Sequence, residues 1–312
     1  MNRAFIFPGQ GAQAVGMGKD LYDNFTAARD VFQEIDESLK QNLSQIIFDG
    51  PSEELTKTEN TQPALMAVSM AFLKVIESET KKEINELCGY VAGHSVGEYS
   101  ALCAAEVIDI TTTATILRIR GNAMQNACPK AIGAMAACLG LTMAQIEALV
   151  KLANEVGICD IANDNNPSQV VVSGEEKAID FLAPKIQELG GRCIKLNVSG
   201  PFHSRLMVPA EIVMKKALDQ VSFNAPKVPV IINVTANLPR DVEEIKNSLI
   251  TQISGRVRWT ETIEYFKSHN VSSIVEIGSG KVLSGLLKKV EHNFSVFNVG
   301  NVIELNEFLR SI

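Results

Sequence analysis

The chain has 312 residues, 46% hydrophobic and 21% charged, which is ample for one large or two unequal folded units and excludes disorder or a disulfide-stapled miniprotein. Its 29 Lys and Arg stand against 36 Asp and Glu, and the net charge of −7 gives no global attraction to nucleic acid or an anionic membrane. The apolar run at 4–7 is too short for a signal peptide, and the stretch 63–76, broken by Ser69 and Lys74, falls short of the roughly 20 residues of a membrane span, so a cytoplasmic protein is expected.

In chain order, residues 3–7 read as a buried strand ended by Pro8-Gly9-Gln10-Gly11, and residues 88–92 as another closed by Gly93. Between them Ser52, followed by two acids, opens a helix, and Thr61-Gln62-Pro63 opens another, because proline suits a first turn. Helices are expected at 96–105 and 111–127. From Gly133 the pattern becomes strand 134–139, helix 142–156 with a Thr142/Gln145 capping box, strand 158–163, a turn at Asp164-Asn165-Asn166-Pro167, strand 169–173, helix 175–189 stopped by Gly190-Gly191, and strand 192–198. That βαββαβ order is ferredoxin-like and marks 131–198 as an inserted subdomain between 1–130 and 199–312. Strands near 230–234, 273–277 and 295–299, separated by helices, imply an α/β class with a mostly parallel sheet covered on both faces. The six cysteines are scattered singly among apolar neighbours without C-x-x-C pairs, which reads as buried free thiols and no metal site.

Gly93-His94-Ser95-Val96-Gly97 lies between a strand and a helix, the context of a nucleophile elbow. The glycines allow the close backbone approach of the turn, and the helix N-terminus offers N–H groups to an oxyanion. Ser95 is therefore the candidate nucleophile, with a merely tight turn as the alternative. It needs a base. Of the four histidines, His94 adjoins the serine and its ring should diverge, while His269 and His292 lie on charged or solvated stretches. His203, in the loop Ser199-Gly200-Pro201-Phe202-His203 after a strand, is the better candidate, against a structural histidine.

On the helix at 111–127, Arg120 has Ile116, Leu117, Ala123 and Met124 one turn away, whereas the neighbours of Arg118 mark it as solvent-facing. A guanidinium on a buried stripe needs a partner, either an internal carboxylate or an anionic ligand. Two phosphate-binding patterns fail. Gly9-Gln10-Gly11-Ala12-Gln13-Ala14 lacks the acid-ended second strand of a dinucleotide site, and Gly278-Ser279-Gly280-Lys281 lacks the first glycine and the hydroxyl residue of a phosphate loop.

Taken together, Phe7-Pro8-Gly9-Gln10-Gly11-Ala12-Gln13, Gly93-His94-Ser95-Val96-Gly97-Glu98-Tyr99, Arg120-Gly121 before Met124-Gln125, Pro201-Phe202-His203 and Gly278-Ser279-Gly280-Lys281-Val282-Leu283 resemble malonyl-CoA:acyl carrier protein transacylases, in order over essentially the whole chain. The resemblance implies an α/β-hydrolase-like large domain interrupted by the ferredoxin-like one. It implies Ser95 as the acylated nucleophile, His203 as its base, Arg120 on the malonyl carboxylate, the N–H groups of Gln10 and Val96 as oxyanion donors, and the main-chain carbonyl of Gln252 steadying the histidine. Phe202 is similar to the bulky residue of malonyl-selective members, and the sequence departs from commoner forms at Ala12, Gly200 and Ser279. The implied partners are malonyl-CoA and an acyl carrier protein, with Lys281, Lys288 and Lys289 as docking candidates or a plain solvated face. A monomer with no cofactor, metal, nucleic acid or membrane is expected.

The implied reaction is a two-step malonyl transfer through a serine ester supplying fatty-acid elongation, and an ordinary histidine pKa near 6.5 predicts loss of activity below roughly pH 6. The alternative is a serine thioesterase or esterase of the α/β-hydrolase class, whose acid would lie between serine and histidine in the chain. Asp160, Asp164 and Asp180 are the candidates there, all inside the subdomain, which argues against it.

Overall fold

The first and second strands, β1 (Arg3–Phe7) and β2 (Tyr90–Gly93), are almost continuously apolar, the pattern of strands covered on both faces. They pair in parallel, Phe5 opposite Val91 and Phe7 opposite Gly93. The computed structural model describes residues 2–129, 132–290 and 293–312, so His292 lies outside the described residues. The remaining strands are β3 (Gly133–Leu139), β4 (Cys159–Asn166), β5 (Gln169–Glu175), β6 (Arg192–Lys195), β7 (Val230–Ile231), β8 (Val257–Arg258), β9 (Ser273–Ile277) and β10 (Ser295–Val299).

One sheet has the order β10-β9-β1-β2-β7 with every pair parallel, as strands linked by helical crossovers require. The helix Val96–Ala104 after β2 is buried along its whole length. The long helix Thr58–Thr80 is apolar almost all round and enclosed as far as Ile76 save for half-buried Glu59 and Lys74, and it meets helix Ile110–Asn126 at Gly121. A Cβ there would stand 2.6 Å from Glu59 Cα, so only glycine permits this approach, which sets neighbouring Arg120 over Gln62.

The second sheet runs β6-β3-β5-β4-β8. Its first four strands are antiparallel neighbours, while β8 joins β4 in parallel. Alternation along β3 divides the sheet's two faces. Ala136 and Cys138 face a small core with helices Met143–Ala153 and Glu176–Glu188, and Met135 and Ala137 face the main core. The Thr142/Gln145 capping box is formed.

Several expectations are corrected. Pro63 lies in the second turn of Thr58–Thr80 rather than opening a helix, a position that forgoes only the bond to the Glu59 carbonyl. The expected turn 164–167 is largely strand, because β4 continues through two bulges to Asn166 and Asp164 pairs with Arg258 of β8. β8, two residues long, carries no sequence pattern and was not expected. Arg118 is half-buried, donating to Asn60 Oδ1 at 2.7 Å and to Gln41. The expected strand 192–198 ends at Lys195, leaving 196–199 to line a cavity. Cysteines are all free, Cys128 and Cys193 being only partly buried. Among the described residues, no helix is long and apolar enough to cross a membrane.

Candidate active site

At the C-terminal end of β2 the chain turns sharply into helix Val96–Ala104, and Ser95 takes φ 53° and ψ −109° at the corner. A Cβ on Gly93 would lie 1.9 Å from the Gly97 carbonyl, and one on Gly97 would lie 2.2 Å from the Phe7 carbonyl. Both glycines are thus demanded by backbone packing against backbone. A left-handed, non-glycine residue at this point is strained, and here the strain projects the hydroxyl outward.

His203 also has a positive φ, 57°, in a loop tied by its N–H to the Ile253 carbonyl and by Ser204 Oγ to the Pro201 carbonyl. Its Nδ1 faces the Gln252 and Gly255 carbonyls at 2.8 and 3.0 Å. Two acceptors there require the proton on Nδ1, so the Nε2 lone pair accepts from the Ser95 hydroxyl at 2.7 Å. Carbonyls, not a carboxylate, orient this ring. Asp160, Asp164 and Asp180 are engaged elsewhere, with Arg205, Arg256 and Lys195 respectively.

Arg120 is 1% exposed. Nη1 donates to Gln62 Oε1 at 2.8 Å, and Nη2 donates to Gln252 Oε1 at 2.8 Å and to Ser95 Oγ at 3.3 Å. Its guanidinium carbon stands 5.3 Å from the Tyr99 ring centre. Among the described residues it forms no ion pair: neutral amides make its hydrogen bonds beside Ser95 Oγ, and the buried Glu98 carboxyl acts on its charge only through space.

A cavity of about 330 Å³ opens onto this group. Gln10 and Val96 line it, and their N–H groups donate to no protein atom among the described residues, which leaves both for an oxyanion. Phe202 gives it an apolar wall together with Met124, Met135 and Val198, so residues of both sheets' surroundings meet over Ser95. The sequence departures at Ala12 and Ser279 meet each other, Ser279 Oγ donating to the Ala12 carbonyl at 2.6 Å.

Burial and then the nearby Arg120 charge press the His203 pKa down to about 3, against the opposing pull of the two carbonyls. The ordinary pKa near 6.5 expected for His203 is therefore corrected: the imidazole stays neutral well below pH 6. Burial likewise lowers His94, whose Nε2 donates to Asn165 Oδ1 at 2.8 Å and so points away from Ser95. His269 is an exposed helix end stacked on Tyr265, as expected. Lys281 pairs with Glu304 at 2.6 Å, while Lys288 and Lys289 are exposed.

Three contributors were not anticipated. Gln62 holds Arg120, as described. Asn233, just past β7, accepts the Ser95 N–H on Oδ1 at 2.8 Å and donates from Nδ2 to the Gly93 carbonyl at 2.7 Å, clamping the elbow. Glu98, 0% exposed, accepts on Oε2 from Asn233 N at 2.8 Å and Gln252 Nε2 at 3.0 Å. Glu98 had the same signal as Arg120, a charge on an otherwise apolar helix. Gln62 and Asn233 had none. Among the described residues, no group of three or more His, Cys, Asp or Glu converges as a metal site.

The model of the acyl transferase domain family matches residues 4–290. The chain is 43% identical over 300 residues to the malonyl CoA-acyl carrier protein transacylase of Bacillus subtilis (strain 168), covering 96% of this chain and 93% of that one. Against the enzyme of the same name from Escherichia coli (strain K12) the identity is 38% over 288 residues, 92% of each. Among solved structures, the acyl-carrier-protein-S-malonyltransferase of Bartonella henselae superposes with a TM-score of 0.96 at 48% identity, covering 100% of this chain and 99% of that one. A type II PKS malonyl-transacylase solved in complex with its acyl-carrier protein gives 0.95 at 36%, covering 99% of each. The chain belongs to the acyl transferase family and, within it, to the malonyl CoA-acyl carrier protein transacylases.

Proposed function

We propose that the protein transfers the malonyl group from malonyl-CoA to the phosphopantetheine thiol of an acyl carrier protein, through a malonyl ester on Ser95, and so supplies fatty-acid elongation. The observation that carries this reading is the placement of Ser95 Oγ between His203 Nε2 at 2.7 Å and the unneutralised Arg120 at 3.3 Å.

In the first half-reaction His203 Nε2 takes the hydroxyl proton as Ser95 Oγ attacks the thioester carbonyl. The oxyanion is received by the N–H groups of Gln10 and Val96, and collapse expels CoA, whose sulfur takes the proton back from Nε2. In the second, the carrier thiol gives its proton to His203 and attacks the ester, restoring the serine. Gln252 steadies the base through its carbonyl throughout, Arg120 holds the malonyl carboxylate, and Phe202 crowds an α-branch. An acetyl group would leave the buried guanidinium unmatched.

The fold reading follows the same line. The parallel sheet with its elbow at the end of β2 supports an α/β-hydrolase-like domain, formed by 1–130 and 199–312. The order β6-β3-β5-β4 supports a ferredoxin-like subdomain over 131–198. The protein acts as a monomer in the cytoplasm, without cofactor, nucleic acid or membrane. Exposure to malonyl-CoA followed by mass spectrometry tests the central claim: a malonyl adduct on the Ser95 peptide, discharged on adding carrier protein, is expected. Rapid hydrolysis of malonyl-CoA without any acceptor would establish a thioesterase instead.

A further inference from the structure

Glu98 lies behind the site, not in it: it does not line the cavity, and its Oε2 is occupied by two donors. One donor, the Asn233 N–H, is backbone and fixes where that oxygen stands. The other, Gln252 Nε2, belongs to a carboxamide that could point either way. With Nε2 towards Glu98 and towards the Ser95 carbonyl at 3.1 Å, the oxygen Oε1 faces Arg120 Nη2. The reversed carboxamide would set oxygen against these two oxygens and against Asn233 Oδ1, 3.4 Å from Nε2, and N–H against the Arg120 N–H, four repulsive contacts in a buried region. Glu98 Oε2 accepts in either protonation state: burial raises this carboxyl to about 7, and Oε1, which has no hydrogen-bond partner among the described residues, is open to carry the proton.

We propose that Glu98 is a positioning residue for acyl transfer: by accepting from the Gln252 carboxamide it keeps the carboxamide oxygen on Arg120, and so fixes the guanidinium beside Ser95. The proposal rests on the reading of Arg120 as the holder of the acyl carboxylate. His203 uses the Gln252 main-chain carbonyl, so the base is steadied independently of the carboxamide. The Asn233 side chain holds the Ser95 N–H and the Gly93 carbonyl without Glu98, so loss of Glu98 acts on Arg120 more than on His203 or the elbow.

Kinetics with malonyl-CoA and acetyl-CoA test this in the full-length protein. For Glu98→Met, which keeps bulk and removes both acceptor oxygens, KM for malonyl-CoA should rise roughly 10- to 100-fold while acetyl transfer changes by under about 3-fold. Glu98→Gln, which can still accept from both donors, should restore most of the malonyl preference. Gln252→Met, which removes the carboxamide, should raise the malonyl-CoA KM as Glu98→Met does, and the double variant should raise it little further. It also serves if Glu98→Met does not fold. Equal losses for the two acyl groups, no rescue by Glu98→Gln, or additive effects in the double variant would overturn the proposal. Crystal structures of wild type and Glu98→Met decide the same point without substrate: a displaced Arg120 supports it, and an unmoved Arg120 overturns it. Failure of the wild type to form a malonyl adduct would instead sink the proposed function, with the two structures still judging Glu98.

Discussion

Acidification separates the chemistry of His203 from its cost to the fold. Burial, with the Arg120 charge second, holds this histidine at about 3 in the folded protein, against an ordinary 6.5 in the unfolded chain. Between those values the unfolded chain binds a proton that the folded one refuses, so the stability conferred by the neutral, buried ring is complete above pH 6.5 and falls as pH drops. The slope is about 1.4 kcal/mol per pH unit, which amounts to about 2 kcal/mol at pH 5. The base, meanwhile, remains unprotonated. Single-turnover CoA release from malonyl-CoA should therefore hold within about 3-fold from pH 7.5 to 5, while the urea midpoint falls by an amount that His203→Ala largely abolishes. Comparison with that variant cancels the other titrating groups. An acylation rate that drops with a midpoint near pH 6.5 would show a water-accessible imidazole and refute the argument.

Arg120→Ala should reduce kcat/KM for malonyl-CoA by about 100-fold or more and spare or improve acetyl transfer, read in a side-by-side transfer assay; equal losses would exclude the clamp role. His203→Ala should slow Ser95 acylation by about 10² to 10⁴, measured as malonyl-adduct formation over time, and an adduct at the normal rate would remove it as base. Gly93→Ala drives a methyl to 1.9 Å from the Gly97 carbonyl, with no flexible side chain to yield. Loss of several kcal/mol is expected on the general scale of severe core changes, and a thermal midpoint within a few degrees of wild type would contradict the packing of the elbow.

The serine elbow and the buried position of Arg120 were legible because each left a local mark. Gly93 and Gly97 flank a serine between a strand and a helix, and Arg120 interrupts an apolar stripe at helical spacing. The βαββαβ element order from Gly133 to Lys195 was legible through the Thr142/Gln145 box and the Gly190-Gly191 stop. What failed depended on partners distant in the chain. Asn233 looks like any polar residue after a short strand until the fold carries it to the Ser95 N–H. β8 is a strand only because β4 lies beside it, and the same pairing keeps residues 164–166 extended where composition alone implies a turn. Pro63 misplaced a helix start because the helix Thr58–Thr80 is held by burial, which outweighs one missing hydrogen bond.

The choice of carbonyls to orient His203 follows from the charge beside it. A carboxylate at the position of the Gln252 or Gly255 carbonyl would favour the imidazolium, but it would also offer Arg120 a permanent internal partner and compete with a substrate anion. With carbonyls alone, Arg120 is left without an ion pair, and its charge adds to burial, the larger cause, in depressing His203. On the proposed reading, binding a malonyl carboxylate relieves both costs together: it matches the guanidinium and removes the repulsion opposing protonation of Nε2 during attack. An acetyl thioester relieves neither. Discrimination then acts on the chemical step as well as on binding, because the base reaches full strength only when the anion that identifies the substrate is in place.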